Sequence, residues 1–103
     1  MNDEITLIPQ DTKKTSTGAT YKEPKRDAAR SAFATVENAS MTEYYTAVAA
    51  GKKTELKATL YAAEYEGETL IGYDGKEYRV VRTYRPKNRM DMIELYCEAA
   101  EGV

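Results

Sequence analysis

Along most of the chain the apolar positions recur every second residue, the spacing of a strand with one covered face. The run Ile5-Thr6-Leu7-Ile8 predicts a short first strand, and Pro9, which has no amide proton for a ladder, ends it or marks an edge. Over residues 27–38, Ala32, Ala34 and Val36 alternate with Phe33, Thr35 and Glu37, and the small alanines imply close packing on their side. Leu56, Ala58, Leu60 and Ala62 alternate with Lys57, Thr59 and Tyr61 in the clearest strand of all. Residues 69–73 and 77–84 flank Asp74-Gly75, a pair suited to the two positive φ angles of a type I′ turn, which predicts a tight hairpin. A last strand sets Met92, Glu94 and Tyr96 against Ile93, Leu95 and Cys97.

Two segments break this rhythm. Residues 10–24 hold Thr12, Thr15, Ser16, Thr17, Gly18 and Thr20 but almost nothing to bury, so they predict a long, mobile hairpin loop of the length that is either disordered or functional. Ser40-Met41-Thr42-Glu43 has capping-box spacing and predicts a short α-helix over residues 42–50, stopped by Gly51, with Lys52 and Lys53 near the negative end of its dipole. Strands and helix do not alternate as a parallel sheet requires. The expected fold is therefore mainly β: one domain over residues 1–103, a small antiparallel β-barrel of about six strands with one short α-helix and the long hairpin loop.

Composition narrows the chemistry. Fifteen Leu, Ile, Val and Phe in 103 residues make a thin core, to which nine tyrosines add apolar area. A net charge of −2 leaves no global field to draw the chain to nucleic acid or anionic lipid. Histidine is absent, and with it the usual general base and the commonest metal ligand. The lone Cys97 has no cysteine to bridge and reads as a buried structural thiol. No phosphate-binding loop, dinucleotide fingerprint or nucleophile elbow occurs, so neither enzymatic activity nor a cofactor or metal is expected. The acidic start, and apolar runs well short of the ~18–20 residues of a membrane span, predict a soluble, unexported protein with no membrane partner.

Three clusters invite a functional reading. Glu64, Glu66, Glu68 and Asp74 lack calcium-loop spacing and read as a solvated turn. Arg79, Arg82, Arg85, Lys87 and Arg89, interleaved with Tyr78 and Tyr84, resemble a stacking platform for single-stranded nucleic acid, but strict alternation sends Arg79 and Arg82 to opposite faces and splits the patch. Tyr44 and Tyr45 are about 100° apart on a helix, so one ring can reach the core while the other meets a partner.

The order of these features resembles the head-closure, or stopper, proteins of long-tailed phages and their prophages. The resemblance is carried by Ile5-Thr6-Leu7-Ile8, Phe33-Ala34-Thr35-Val36, Ser40-x-x-Glu43-Tyr44-Tyr45-x-Ala47, Tyr73-Asp74-Gly75-Lys76-Glu77-Tyr78 and Ile93-Glu94-Leu95-Tyr96, and spans residues 5–98. It implies a virion protein of the phage neck, present in the host cytoplasm during assembly. Such a protein forms a homo-oligomeric, twelve-fold ring below the portal and adaptor, joins them to the tail proteins and retains packaged DNA, which lies in the channel without sequence-specific binding. Ring contacts are attributed in that family to extended loops and helix, which carries over to residues 10–24 and 41–53. The candidate contact residues are Thr12, Thr15, Thr17 and Tyr21 on the loop and Tyr44, Tyr45, Lys52 and Lys53 on the helix. Ala47-Val48-Ala49-Ala50 is blander than a specific docking surface. The alternatives are a tail-completion or neck protein of the same virion, and a small barrel that grips single-stranded nucleic acid through Tyr78, Arg82, Tyr84 and Arg85.

Overall fold

The computed structural model describes residues 2–38 and 55–100. The described chain forms eight strands: β1 (Asp3–Ile8), β2 (Gln10–Lys14), β3 (Thr20–Pro24), β4 (Arg30–Asn38), β5 (Leu56–Tyr61), β6 (Leu70–Tyr73), β7 (Lys76–Tyr84) and β8 (Met92–Ala99). Six of them close into an antiparallel barrel in the order β1-β4-β5-β8-β7-β6, and β2 and β3 pair only with each other. Closure comes from β1, which bonds β4 along one edge and β6 along the other, so no strand of the barrel keeps an open side. These six strands are the six the alternation predicts.

Alternation decides what fills the barrel. Ile5, Leu7, Ala32, Ala34, Leu56, Ala58, Leu60, Ile71, Ile93, Leu95 and Cys97 point inward and form one buried cluster. Six strands enclose less room than the eight whose interior side chains just fill. The three alanines on β4 and β5 answer that constraint, leaving the space for Leu60, Ile71 and Leu95, which are wholly enclosed. Half-buried Val36, Tyr65, Tyr73, Tyr78 and Val80 pack against this cluster. The β6–β7 turn forms as predicted, with Asp74 at φ 51° and Gly75 at φ 78°.

The structure departs from the sequence expectations at four places. Residues 26–28 form a 3₁₀ turn ahead of β4 rather than its first residues. Ala62 leaves β5 for a second short 3₁₀ turn, Ala62–Glu64, and is half-buried there. Residues 10–24 are not a long loop but a regular hairpin, because Thr15-Ser16-Thr17-Gly18 makes a tight turn that lets the flanking residues pair from Lys14–Thr20 down to Gln10–Pro24. Along β7 the register slips by one residue: Val80 faces Cys97 while Arg82 faces Tyr96, so Val81 is a bulge that reverses the phase of the strand. The expected helix over residues 42–50 lies outside the described residues.

Candidate functional site

The feature that stands apart from the barrel is the β2–β3 hairpin, an arm whose side chains are exposed apart from partial cover at Asp11 and Pro24. At its tip the Gly18 amide donates to the Thr15 carbonyl at 3.0 Å, and the Thr15 amide to the Ala19 carbonyl at 2.8 Å. Gly18, at φ 92°, takes the left-handed position that closes a type I turn with a bulge. The Thr15 hydroxyl also accepts from the Ala19 amide at 3.2 Å and shares a hydrogen bond with the Thr17 hydroxyl at 2.9 Å. Thr15 and Thr17, expected as partner contacts, thus first shape the turn.

The root of the arm is fixed at three points. The Lys25 amide donates to the Pro9 carbonyl at 2.8 Å, continuing the ladder past the last pair. The Thr69 hydroxyl donates to Gln10 Oε1 at 2.5 Å. Just beyond β3, Arg26 grips the Glu77 carboxylate with Nε and Nη2 at 2.7 and 2.8 Å, which holds that carboxyl below its ordinary range.

Thr69 belongs to a loop with its own anchor, and that anchor corrects the solvated-turn reading of the acidic cluster. Glu68 is buried, 7% exposed. Its carboxylate accepts from Arg30 Nη2 at 2.8 Å and from the Glu66 amide at 2.8 Å, while the same guanidinium donates to the Glu64 carbonyl at 2.6 Å. The Tyr65 hydroxyl donates to the Glu68 carbonyl at 2.6 Å, and burial, followed by the Glu68 charge, pushes the phenol up to about 12. Glu64 and Glu66 remain exposed as expected. Among the described residues no group of three or more metal-ligating side chains converges.

The bulge at Val81 overturns the split of the basic run. With the phase reversed, Arg79 and Arg82 stand on the same outer face, opposite Glu98 and Tyr96 of β8, and Tyr84 joins them opposite Glu94. Both arginines are nevertheless engaged, whereas Tyr84 stays 47% exposed. Arg79 Nη2 sits 2.6 Å from Glu98, the Arg82 guanidinium lies 3.8 Å from the centroid of the Tyr96 ring, and the Tyr96 hydroxyl donates to Glu94 at 2.7 Å. Tyr78 turns the other way and packs on the core, while Arg85 donates to the Met90 carbonyl. Of the four residues expected to hold single-stranded nucleic acid, the fold therefore brings Arg82 and Tyr84 together and withdraws Tyr78.

The expected contact residues are placed as follows. Thr12 and Tyr21 are exposed on opposite faces of the arm, Thr15 and Thr17 occupy its tip, and Tyr44, Tyr45, Lys52 and Lys53 lie outside the described residues. Cys97 is fully enclosed, and burial raises its thiol to about 12. Among the described residues no helix is long and apolar enough to cross a membrane. No protein-family model matches the chain, and no curated protein is similar enough to count as a relative.

Proposed function

We propose that this chain is a structural subunit of the head-to-tail connector of a long-tailed phage or prophage, a head-closure protein that forms a ring with copies of itself below portal and adaptor, joins head to tail and retains packaged DNA. The observation that carries the reading is the arm: fifteen residues in a regular hairpin that contribute nothing to the barrel core, held at a fixed root by Gln10, Lys25 and Arg26. A two-stranded ribbon is marginal in water by itself, and among the described residues no strand pairs with either outer edge of this one, so neighbouring copies that cover it gain more than the lone subunit. Such a subunit acts by assembly and blockage. The barrel supplies a rigid body and the arm supplies reach.

Electron microscopy of the purified neck of the parent virion, or of portal complexes reconstituted with this chain, is expected to show the subunit as a ring beneath the portal; its absence from virions refutes the assignment. Replacing residues 12–22 by a two-residue Asn-Gly turn is expected to leave the barrel folded by circular dichroism and to abolish ring formation. A variant that assembles normally removes the contact role of the arm. Portal and adaptor genes immediately upstream favour head closure, whereas tail-tube genes there favour a tail-completion position. The nucleic-acid reading keeps one supporting observation, the single outer face shared by Arg79, Arg82 and Tyr84. It requires salt-sensitive binding of an oligonucleotide that weakens in Tyr84→Ala.

A further inference from the structure

The register of the arm sorts its charges by face. Residues opposite one another in an antiparallel pair share a side, so Gln10, Thr12, Lys14, Thr20, Lys22 and Pro24 form one face, which carries two lysines and no carboxylate. The other face carries Asp11, Lys13, Tyr21 and Glu23. There Asp11 lies 3.9 Å from Lys13 and 3.6 Å from Lys25, so the charges of that face are largely matched. Lys14 and Lys22 have no ion-pair partner among the described residues; Glu66 borders a shallow cleft at the root together with Lys22 but makes its ion pair with Arg30.

We propose that this lysine–threonine face is a sequence-independent contact for the phosphate backbone of duplex DNA. Lys14 and Lys22 stand diagonally across the ribbon, about 7–8 Å apart at the backbone, flanked by the hydroxyls of Thr12 and Thr20 that can donate to phosphate oxygens. A two-stranded ribbon is also the width that a major groove of about 12 Å admits. The net charge of −2 confines the attraction to the arm. One arm thus meets about two phosphates and holds weakly, while a ring of arms repeats the contact many times over a duplex that still slides. The choice of DNA among polyanions rests on the connector reading; the segregation of charge does not.

The test uses the full chain, isotope-labelled and titrated by NMR with a random duplex of about 12 base pairs at ~20 mM salt. Amides of Thr12, Lys14, Thr20 and Lys22 are expected to shift, with affinity falling about tenfold for a fourfold rise in salt. The double variant Lys14→Gln/Lys22→Gln is expected to lose the response, and Lys13→Gln/Lys25→Gln to keep it within about twofold, with barrel amides unmoved in both. Four results overturn the proposal: no shift at low salt, equal losses in both double variants, shifts confined to Arg79, Arg82 and Tyr84, or binding to phosphatidylglycerol vesicles without binding to DNA. A failure here leaves the ring, which microscopy reads separately, untouched.

Discussion

At the scale of single residues, the Arg30–Glu68 pair ties three parts of the molecule together. It joins β4 to the 62–69 loop, and through Thr69 that loop holds Gln10 at the root of the arm. Removing one partner of a buried pair leaves the other uncompensated, at a cost of about 3–5 kcal/mol when both are enclosed. Arg30 is 36% exposed, so Arg30→Ala is expected to cost less, about 2 kcal/mol, read as a lowered urea midpoint at unchanged slope. Glu68→Gln keeps an acceptor for the Glu66 amide and is expected to cost about 1 kcal/mol. Cys97 gives a pH-dependent counterpart. Its thiol ionises near 9 in the unfolded chain and near 12 when folded, so the folded state binds the extra proton between those values. Stability is therefore full below pH 9 and falls as pH rises toward 12, by about 1.4 kcal/mol per pH unit from this group alone. Tyr65 adds to the loss between pH 10 and 12. In thermal melts across this range, Cys97→Ala is expected to delay the alkaline decline by about one pH unit, because the first group to ionise on unfolding is then Tyr65. A native chain alkylated as fast as a free thiol at pH 8 contradicts the enclosure of Cys97.

Among the elements, β7 shows how one residue changes a surface. Val81 is the extra residue that brings Arg82 out beside Arg79 and places its guanidinium over Tyr96. Deleting Val81 removes the bulge yet leaves Val80 opposite Cys97 and Arg82 opposite Tyr96, so Arg82 is expected to stay on the outer face, at a cost of about 1–2 kcal/mol read from the urea midpoint. Val81→Ala keeps the bulge and is expected to cost about 1 kcal/mol. The arm is the opposite case, an element whose loss the barrel tolerates. Among the described residues its strands share a backbone ladder only with each other and bury almost nothing, so truncating it beyond the Gln10–Thr69 bond at its root is expected to leave the unfolding midpoint of the remaining barrel nearly unchanged.

For the whole molecule, closure is the governing fact. β1 must find β4 and then β6, whose partner residues are more than sixty positions away, as in Thr6 with Gly72. Pairings of that separation cost loop entropy before they return contact energy, so refolding is expected in the millisecond-to-second range rather than in microseconds, measurable by stopped-flow tyrosine fluorescence. The core is a single cluster in which Leu60 and Leu95 are fully enclosed. Leu60→Ala is expected to cost about 3 kcal/mol, a large share of the stability of so small a domain, and to be felt by all six strands at once.

The alternation of Ile5, Leu7, Ala32, Ala34, Leu56, Ala58, Leu60, Ile93, Leu95 and Cys97 determined by itself which residues line the interior and that six strands are needed to surround them, because side chains of a strand must go to one face or the other. Asp74-Gly75 likewise determined its turn, since few other pairs accept two positive φ angles. The arm was legible in principle: a Thr15-x-x-Gly18 turn sets the register that places Lys14 and Lys22 on one face, yet the lack of anything to bury hid it from a reading based on apolar period. Only the tertiary structure decided the rest. A bulge leaves no mark in composition, and whether Glu68 is solvated or enclosed depends on Arg30, thirty-eight residues away in sequence and brought beside it by the closing of the barrel.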